Sequence, residues 1–316
     1  MTASTTMRGL RFDPRLEGHV ELAEGLARPT PRPGEVLVRV SHSTVNGHEF
    51  HLARDPLLRG LAWLRGAPGE VRTGLEFAGT VASPGARTSV GQRVVGYVDM
   101  VAGWRPHAEF VAIDEACIAP APTRVSAAVA SALPMGGSTA VVALRDLVGV
   151  QEGQRVLVVG ASGGVGVLSV QLARHLGARV TAVARSVHHE ALQGMGAHAV
   201  VEPDADLQRL GPFDAVLDWS ARLRWSQVRR WLGPQGVFVP ADPVRNLADV
   251  VRSRRARWLM VDRGHRDDLE QLVAWVDEGH LQPVVGEVLP LSQWERAVSR
   301  SQERGHLGRT VLAFEG

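Results

Sequence analysis

Lysine is absent from this chain of 316 residues; all 35 basic residues are arginine. A Schiff-base lysine, a P-loop lysine and a Tyr-x-x-x-Lys catalytic pair are therefore excluded. Cysteine is nearly absent as well. Cys117 is the only one, so the chain has neither an intrachain disulfide nor a cysteine-rich zinc site. No apolar run approaches the ~20 residues of a membrane span, and no membrane partner is expected. The opening residues MTASTTMRGLRFD contain no apolar leader core, which predicts a cytoplasmic location. The formal net charge is only +2. Without lysine little titrates between histidine and arginine, so a high isoelectric point follows from a small arginine excess and does not argue for a nucleic-acid partner.

What is present is an ordinary globular balance, 45% hydrophobic and 22% charged, in a chain long enough for two domains with cores. The first ~120 residues alternate short β-like runs with Gly/Pro turns. Strands are expected at 36–45, 77–83, 93–98 and 108–113. From residue 124 the pattern becomes helix and strand in alternation. RVLVVG (155–160) reads as a buried strand, VLSVQLARHLGA (167–178) as an amphipathic helix and RVTAVA (179–184) as the next strand. Further strands are expected at HAVVE, FDAVLDWS, GVFVP and RARWLMV (255–261), with helices at 266–279 and 292–303 and a final strand at TVLAF. Such alternation predicts a doubly wound parallel sheet. The expected division is 1–123 with 265–316 as a mostly β domain, and 124–264 as the dinucleotide-binding domain.

The strongest motif is Gly160-Ala161-Ser162-Gly163-Gly164-Val165-Gly166, placed between an expected strand and an expected helix. The turn must be tight, and backbone must approach a pyrophosphate with no Cβ in the way. The helix N-terminus then offers free N–H groups and a positive dipole end. Ala161 takes the first glycine's place, a departure from G-x-G-x-x-G. About 20 residues on, NAD-type sites carry an acid for the ribose 2′-hydroxyl. Here the place reads Ala184-Arg185-Ser186, which favours a 2′-phosphate and hence NADPH. The alternative for Arg185 is a solvated surface arginine.

Gly47-His48-Glu49, with His42 and His51 nearby, invites a metal reading. The segment follows a strand and lacks the helix of an H-E-x-x-H site, and among 12 histidines chance clustering is expected. No metal is assigned.

These residues together resemble the quinone oxidoreductase branch of the medium-chain dehydrogenase/reductase superfamily. The resemblance runs nearly end to end: PRPGEVLVRV, STVNGHE (43–49), TGLEFAGTV (73–81), GQRVVGYV, LPMGGSTA (133–140), ASGGVG and GRTVL. It implies an α/β fold of a GroES-like barrel domain plus a Rossmann domain. In zinc alcohol dehydrogenases a zinc histidine lies in a G-H-E-x-x-G stretch. The matching stretch here is Gly74-Leu75-Glu76-Phe77-Ala78-Gly79, and no thiol lies near Thr44–Asn46. The resemblance therefore implies a zinc-free member. It places Asn46 by the nicotinamide ribose and the reacting carbon, and Thr139 near the nicotinamide half. Ser162, Gly163, Gly164 and Val165 fall at the pyrophosphate, and Arg185 and Ser186 at the 2′-phosphate. Glu49 takes the family's Asp position. Pro203 and Asp218-Trp219-Ser220-Ala221 depart from the family pattern and predict an altered cofactor rim.

Reduction of an isolated carbonyl produces a localised alkoxide, which calls for a metal or a strong acid. A quinone, enone or enoyl group spreads the charge, so positioning over NADPH suffices. The expected activity is NADPH-dependent reduction of such a conjugated acceptor. Asn46 would orient cofactor and substrate, and Tyr97 would donate a proton or hydrogen bond; a half-buried structural tyrosine is the alternative. His48, His107 or water are further proton sources. Residues 52–66 are expected to form a substrate loop or a short helix packed on the barrel. Two other roles stand beside this one: a tailoring reductase of one biosynthetic pathway, and a non-catalytic NADPH-binding protein. RLRWSQVRRW (222–231) and RSRRARW (252–258) read as amphipathic helix faces more readily than as a nucleic-acid surface. The 255–261 strand is expected to continue the sheet across a homodimer.

Overall fold

A computed structural model describes residues 5–13, 19–46, 49, 64, 73–100, 105–242, 246–303 and 305–314. His48, and the 52–66 stretch apart from Leu64, lie outside them.

The barrel half begins with a hairpin, β1 (Thr6–Asp13) and β2 (His19–Ala27). A mixed sheet follows from β3 (Glu35–Val45), β4 (Glu76–Ser83), β5 (Arg93–Tyr97), β6 (Phe110–Asp114) and β7 (Ile118–Pro120). The C-terminus returns to the same sheet with β13 (Val285–Pro290) and β14 (Arg309–Ala313). The order is β13-β14-β3-β4-β5-β7, with β6 also paired to β3. Apolar residues on alternate positions fill the interior: Val36, Val38, Val40, Phe77, Val94, Val111, Ile118 and Leu312 are at most 2% exposed.

Between these segments lie the parallel strands β8 (Arg155–Val159), β9 (Arg179–Val183), β10 (Ala199–Val201), β11 (Phe213–Asp218) and β12 (Leu232–Pro240). Their order is β10-β9-β8-β11-β12. Chain direction across the sheet reverses between β8 and β11, which opens a crevice at their carboxyl ends. This is a doubly wound α/β domain beside a GroES-like barrel. The helix α1 (Pro134–Val141) widens into a π-helical turn, Val142–Val148, closed by Gly149 at φ 66°. It leads from the barrel into β8. The helix α2 runs Gly164–His175. It begins earlier than the apolar periodicity predicts because glycine, a poor helix former, is needed there. A Cβ on Gly166 would collide with the Gly160 carbonyl, so only glycine lets the helix sit this close to its strand. The helix α3 (Arg266–Asp277) buries Leu269, Leu272 and Val276 in the same core as Val156, Val158, Leu168 and Leu172. The last helix, α4, spans Trp294–Gln302.

The expected strand at 255–261 does not form. It reduces to one parallel bridge, Ala256 to Phe238, with Phe238 N–H donating to Arg255 O (2.7 Å) and Arg257 N–H to Phe238 O (2.9 Å). The Arg255 guanidinium turns back to Gly236 O (2.9 Å) and Gly233 O (2.7 Å) and anchors the chain at the end of β12. Beyond that point the segment has no adjacent strand among the described residues, and an extended run without a ladder is not a strand. Nor is 252–258 a helix face, since the short helix Leu247–Arg252 ends where that run begins.

Candidate active site

Beyond β8 the chain enters the glycine turn. Gly160 takes φ 77°, a left-handed conformation that favours glycine. The first-turn N–H groups of Gly164, Val165 and Gly166 have no intrahelical acceptor. All three residues line a cavity of about 690 Å³ at the β8/β11 switch point. A Cβ at Gly163 would meet only Gly160 O, at 3.5 Å, so the backbone there is open to the cavity. Bare N–H groups at a helix N-terminus suit a diphosphate.

The opposite wall comes from the barrel, and sheet register builds it. Thr310 lies opposite Val45 in the β14–β3 pairing, and Ser43 opposite Phe77 in the β3–β4 pairing. These registers bring Arg309 to Asn46 and Glu76 to Thr44. Glu76 is fully buried and accepts Thr44 Oγ1–H (2.7 Å) and Met135 N–H (2.8 Å); Arg309 Nε lies 3.7 Å from it. Asn46 is 2% exposed. Its Oδ1 accepts from Arg309, and its Nδ2 donates to Glu49 and to Thr44 Oγ1 (3.3 Å). The other oxygen of Glu49 accepts Gly74 N–H at 3.1 Å. His107 donates from Nε2 to Thr44 O at 2.9 Å, with the Glu49 carboxyl 3.9 Å away.

Two buried carboxyls thus share one guanidinium. Burial dominates both, and nearby like charge adds to it for Glu49. The Glu49 pKa is pushed up to about 8 against the hydrogen bond from Asn46 and the Arg309 charge. At neutral pH Glu49 holds a proton; burial raises Glu76 as well, opposed by Arg309, Thr44 and the backbone donors. Burial pushes His107 down to about 4, so it is a neutral imidazole.

Of the sequence-predicted residues, Asn46, Tyr97, Thr139, Gly163, Gly164 and Val165 line one cavity. Ser162 does not; its carbonyl accepts Gly308 N–H at 2.8 Å. Arg185 and Ser186 sit past the end of β9, exposed and outside the cavity. Arg185 lies against Gly305, and His188 donates to Gly305 O at 2.8 Å. Tyr97 is buried and its hydroxyl donates to Val261 O at 2.6 Å. Burial raises its pKa, so the phenol keeps its proton. Thr139 Oγ1 donates to Met135 O at 2.6 Å, leaving its lone pairs toward the cavity. Leu75 is buried in the cavity wall. Among the described residues no group of three His, Cys, Asp or Glu side chains could hold a metal.

The sequence did not mark Arg309, Glu76 or His306 as site residues, whereas Trp219, expected at an altered cofactor rim, does line the cavity. Arg309 and Glu76 stood in quoted motifs, but nothing local marks a 233-residue pairing; only the strand register does.

Residues 32–123 match a family model described as alcohol dehydrogenase GroES-like domain, and residues 195–312 one described as zinc-binding dehydrogenase. A trans-enoyl reductase of Aspergillus terreus is 28% identical, with 91% of this chain and 90% of the relative covered. A chloroplastic quinone oxidoreductase of Triphysaria versicolor is 27% identical, with 98% and 99% covered. Among solved structures, a thermostable alcohol dehydrogenase from Pyrobaculum aerophilum superposes with TM-score 0.80 at 25% identity, covering 98% of this chain and 99% of that one.

Proposed function

The chain belongs to the medium-chain dehydrogenase/reductase superfamily of oxidoreductases, which bind a nicotinamide cofactor, and from that premise we propose that it is an NADPH-dependent reductase of conjugated acceptors that works without zinc. The observation that carries this reading is one cavity that joins the glycine turn to Asn46 and Thr139 and has Val45, Leu75, Met100, Met135 and Val261 among its apolar lining. Leu75 stands where a zinc histidine would be, and Asn46 and Thr44 offer no thiolate. Arg185 and Ser186 at the end of β9 supply a cation and a hydroxyl for a 2′-phosphate where NAD enzymes carry an acid.

When bound, reduced nicotinamide supplies a hydride to the β-carbon of an enone or enoyl group, or to a quinone. The chain's own part is to bind, orient and exclude water. The first-turn N–H groups of Gly164 and Val165 would hold the diphosphate, the Gly163 N–H being turned to Gly160 O at 3.2 Å, with Arg309 facing the same turn. Thr139 and Asn46 flank the nicotinamide end. Asn46 is immobilised by Arg309, Glu49 and Thr44, so it positions rather than transfers protons. The apolar wall suits an acceptor whose negative charge is delocalised and needs no strong acid beside it. The Tyr97 hydroxyl is engaged as a donor to Val261 O and His107 is a buried neutral imidazole, which favours water as the proton source. The enoyl and quinone reductase relatives agree in reaction type with this reading. The exposed Trp258 and Met260 beside the uncompleted sheet edge support a homodimer.

The test follows oxidation of NADPH and NADH at 340 nm against quinones, alkenals, cyclic enones, enoyl thioesters and simple aldehydes, with and without chelator. Chelator-insensitive, NADPH-preferring turnover confined to conjugated acceptors is expected. Turnover of simple aldehydes that the chelator abolishes would overturn the proposal.

A further inference from the structure

The segment between α4 and β14 reaches across to the Rossmann domain at two points. Gly308 N–H donates to Ser162 O at 2.8 Å, and Gly308 forms a parallel bridge with Gly163. Gly305 lies against the Arg185 guanidinium, and its carbonyl accepts from His188 at 2.8 Å. The segment is thus held at the glycine turn by one glycine and past the end of β9 by the other. His306 stands between the two and lines the cavity with Gly163, Gly164 and Arg309.

His306 Nδ1 donates to Glu303 O at 2.8 Å, back within its own segment. That edge of the ring is occupied, so the ring meets the cavity by its other edge, which carries Nε2. Among the described residues Nε2 has no hydrogen-bond partner, and it is not one of the polar atoms closed off in the interior; it is open to a ligand. A carbonyl only accepts, so the neutral ring keeps its hydrogen on Nδ1 and presents a lone pair at Nε2. Only a second proton makes Nε2 a donor.

The charges around the ring decide what brings that proton. Arg309 from β14 and Arg300 from α4 act on it, against the one carboxylate of Glu303, which itself accepts from Arg300. Burial, and after it the two arginine charges, hold the ring below its ordinary pKa of 6.5, against the hydrogen bond to Glu303 O. At neutral pH the cofactor-free ring is therefore uncharged. The same cationic surroundings attract an anion. A diphosphate on the first-turn N–H groups of α2 would bring negative charge to this corner and reverse the balance.

We infer that the diphosphate of the dinucleotide binds against the doubly protonated ring of His306, so that binding the cofactor takes up a proton at Nε2. The inference rests on the proposed function for the presence of a dinucleotide. It adds a side chain of the barrel segment to the backbone donors of the glycine turn, and it makes cofactor affinity rise as pH falls.

His306→Asn places an amide N–H where Nδ1–H meets Glu303 O and deletes Nε2. Binding of NADPH to the full-length protein is followed by nicotinamide fluorescence from pH 6 to 8, with adenosine 2′-monophosphate measured as a competitor. Over that range the parent's NADPH Kd is expected to rise about tenfold more than the variant's, against a ceiling of about tenfold per pH unit for one linked proton. Titration of the 2′-phosphate is common to both proteins and cancels in the ratio. For adenosine 2′-monophosphate, which has no diphosphate, the ratio of the two Kd values should not change with pH. A constant ratio for NADPH overturns the inference: near one it leaves the ring a brace for its own segment, and with the variant uniformly weaker it makes Nε2 an acceptor for a ribose hydroxyl. A ratio that changes equally for adenosine 2′-monophosphate also overturns it, by moving the proton to the 2′-phosphate. The parent alone gives a second reading that does not depend on the variant's folding. NADH carries the diphosphate without the 2′-phosphate, and calorimetry at pH 7 in buffers of different ionisation enthalpy should show proton uptake as it binds; no uptake overturns the inference. If the parent binds neither NADPH nor NADH at any pH, the proposed function itself fails and the inference falls with it; the parent's titration alone separates that outcome from the others.

Discussion

The two walls of the cleft are made differently. The Rossmann wall is backbone: glycines, a helix N-terminus and bare N–H groups contributed by seven consecutive residues. The barrel wall is side chain: Thr44, Asn46, Glu49, Glu76 and Arg309, drawn from distant parts of the chain and joined to one another. A wall of backbone donors tolerates substitution wherever a Cβ fits. A wall of buried polar side chains that are one another's partners tolerates far less, because removing one leaves another unpaired.

The largest effect that can break this contrast is expected at Arg309. Arg309→Met leaves Glu76 buried without a cation and Asn46 Oδ1 without a donor. Removing one partner of a buried pair costs about 3–5 kcal/mol, read as a shift in the denaturant midpoint. Glu76→Gln combined with Arg309→Met should recover part of that loss. If Arg309→Met is neutral, the barrel wall is not a coupled network.

The same contrast explains how far the sequence could be read. The glycine turn was legible because its chemistry is contiguous: strand, turn and helix lie within one βαβ unit. The place of Arg185 past β9 was legible because strand length fixes where that strand ends. Glu49, Glu76 and Arg309 were visible only as parts of a family pattern. Their meeting depends on Thr310 pairing with Val45 and Ser43 with Phe77, and register across a sheet is not encoded near any one of them. The 255–261 segment failed for a related reason. Its apolar alternation is that of a strand, but alternation does not supply an adjacent strand.

The second effect is a pH dependence confined to the barrel wall. Glu49 has a folded pKa of about 8 against an ordinary value of 4.5. Its raised value means the folded state holds the proton more tightly. The associated stability is fully present below pH 4.5 and is lost as pH rises through about 8, at about 1.4 kcal/mol per pH unit within the window. His107 acts in the opposite sense. Its folded pKa of about 4 lies below 6.5, so its contribution is present above pH 6.5 and is lost as pH falls. The two slopes oppose each other between pH 4.5 and 6.5, and the His107 contribution is complete above 6.5, where Glu49, with Glu76 shifted in the same direction, sets the slope. Denaturation midpoints measured from pH 6.5 to 8 should fall in the parent and stay flatter in Glu49→Gln. Parallel curves would remove the buried proton from Glu49.

On the Rossmann side the effect should appear in affinity and not in stability. Arg185 is exposed, and Arg185→Ala is expected to leave the melting temperature in place. A charge-assisted contact to phosphate contributes roughly 1.5–3 kcal/mol, so NADPH should bind about ten- to a hundredfold more weakly, while NADH affinity stays the same. Direct titration of both cofactors decides this; equal weakening of the two would take Arg185 out of the 2′-phosphate site.

The smallest effect sharpens the contrast, because Tyr97 belongs to the cavity by position and to the scaffold by its hydrogen bond. Its ring is packed with Phe77, Val94 and Ile118 in the barrel core, and its hydroxyl reaches across to Val261 O. A phenol whose pKa is raised by burial and whose O–H is donated to a backbone carbonyl is a poor acid for a substrate. Tyr97→Phe keeps the ring in place and leaves Val261 O without that donor, a loss of about 1 kcal/mol in stability. Turnover of conjugated acceptors should remain within a fewfold of the parent, with the pH profile of kcat unshifted. A drop in kcat of a hundredfold or more at unchanged stability would instead make Tyr97 the proton donor, and would mean that its hydroxyl leaves Val261 when substrate binds.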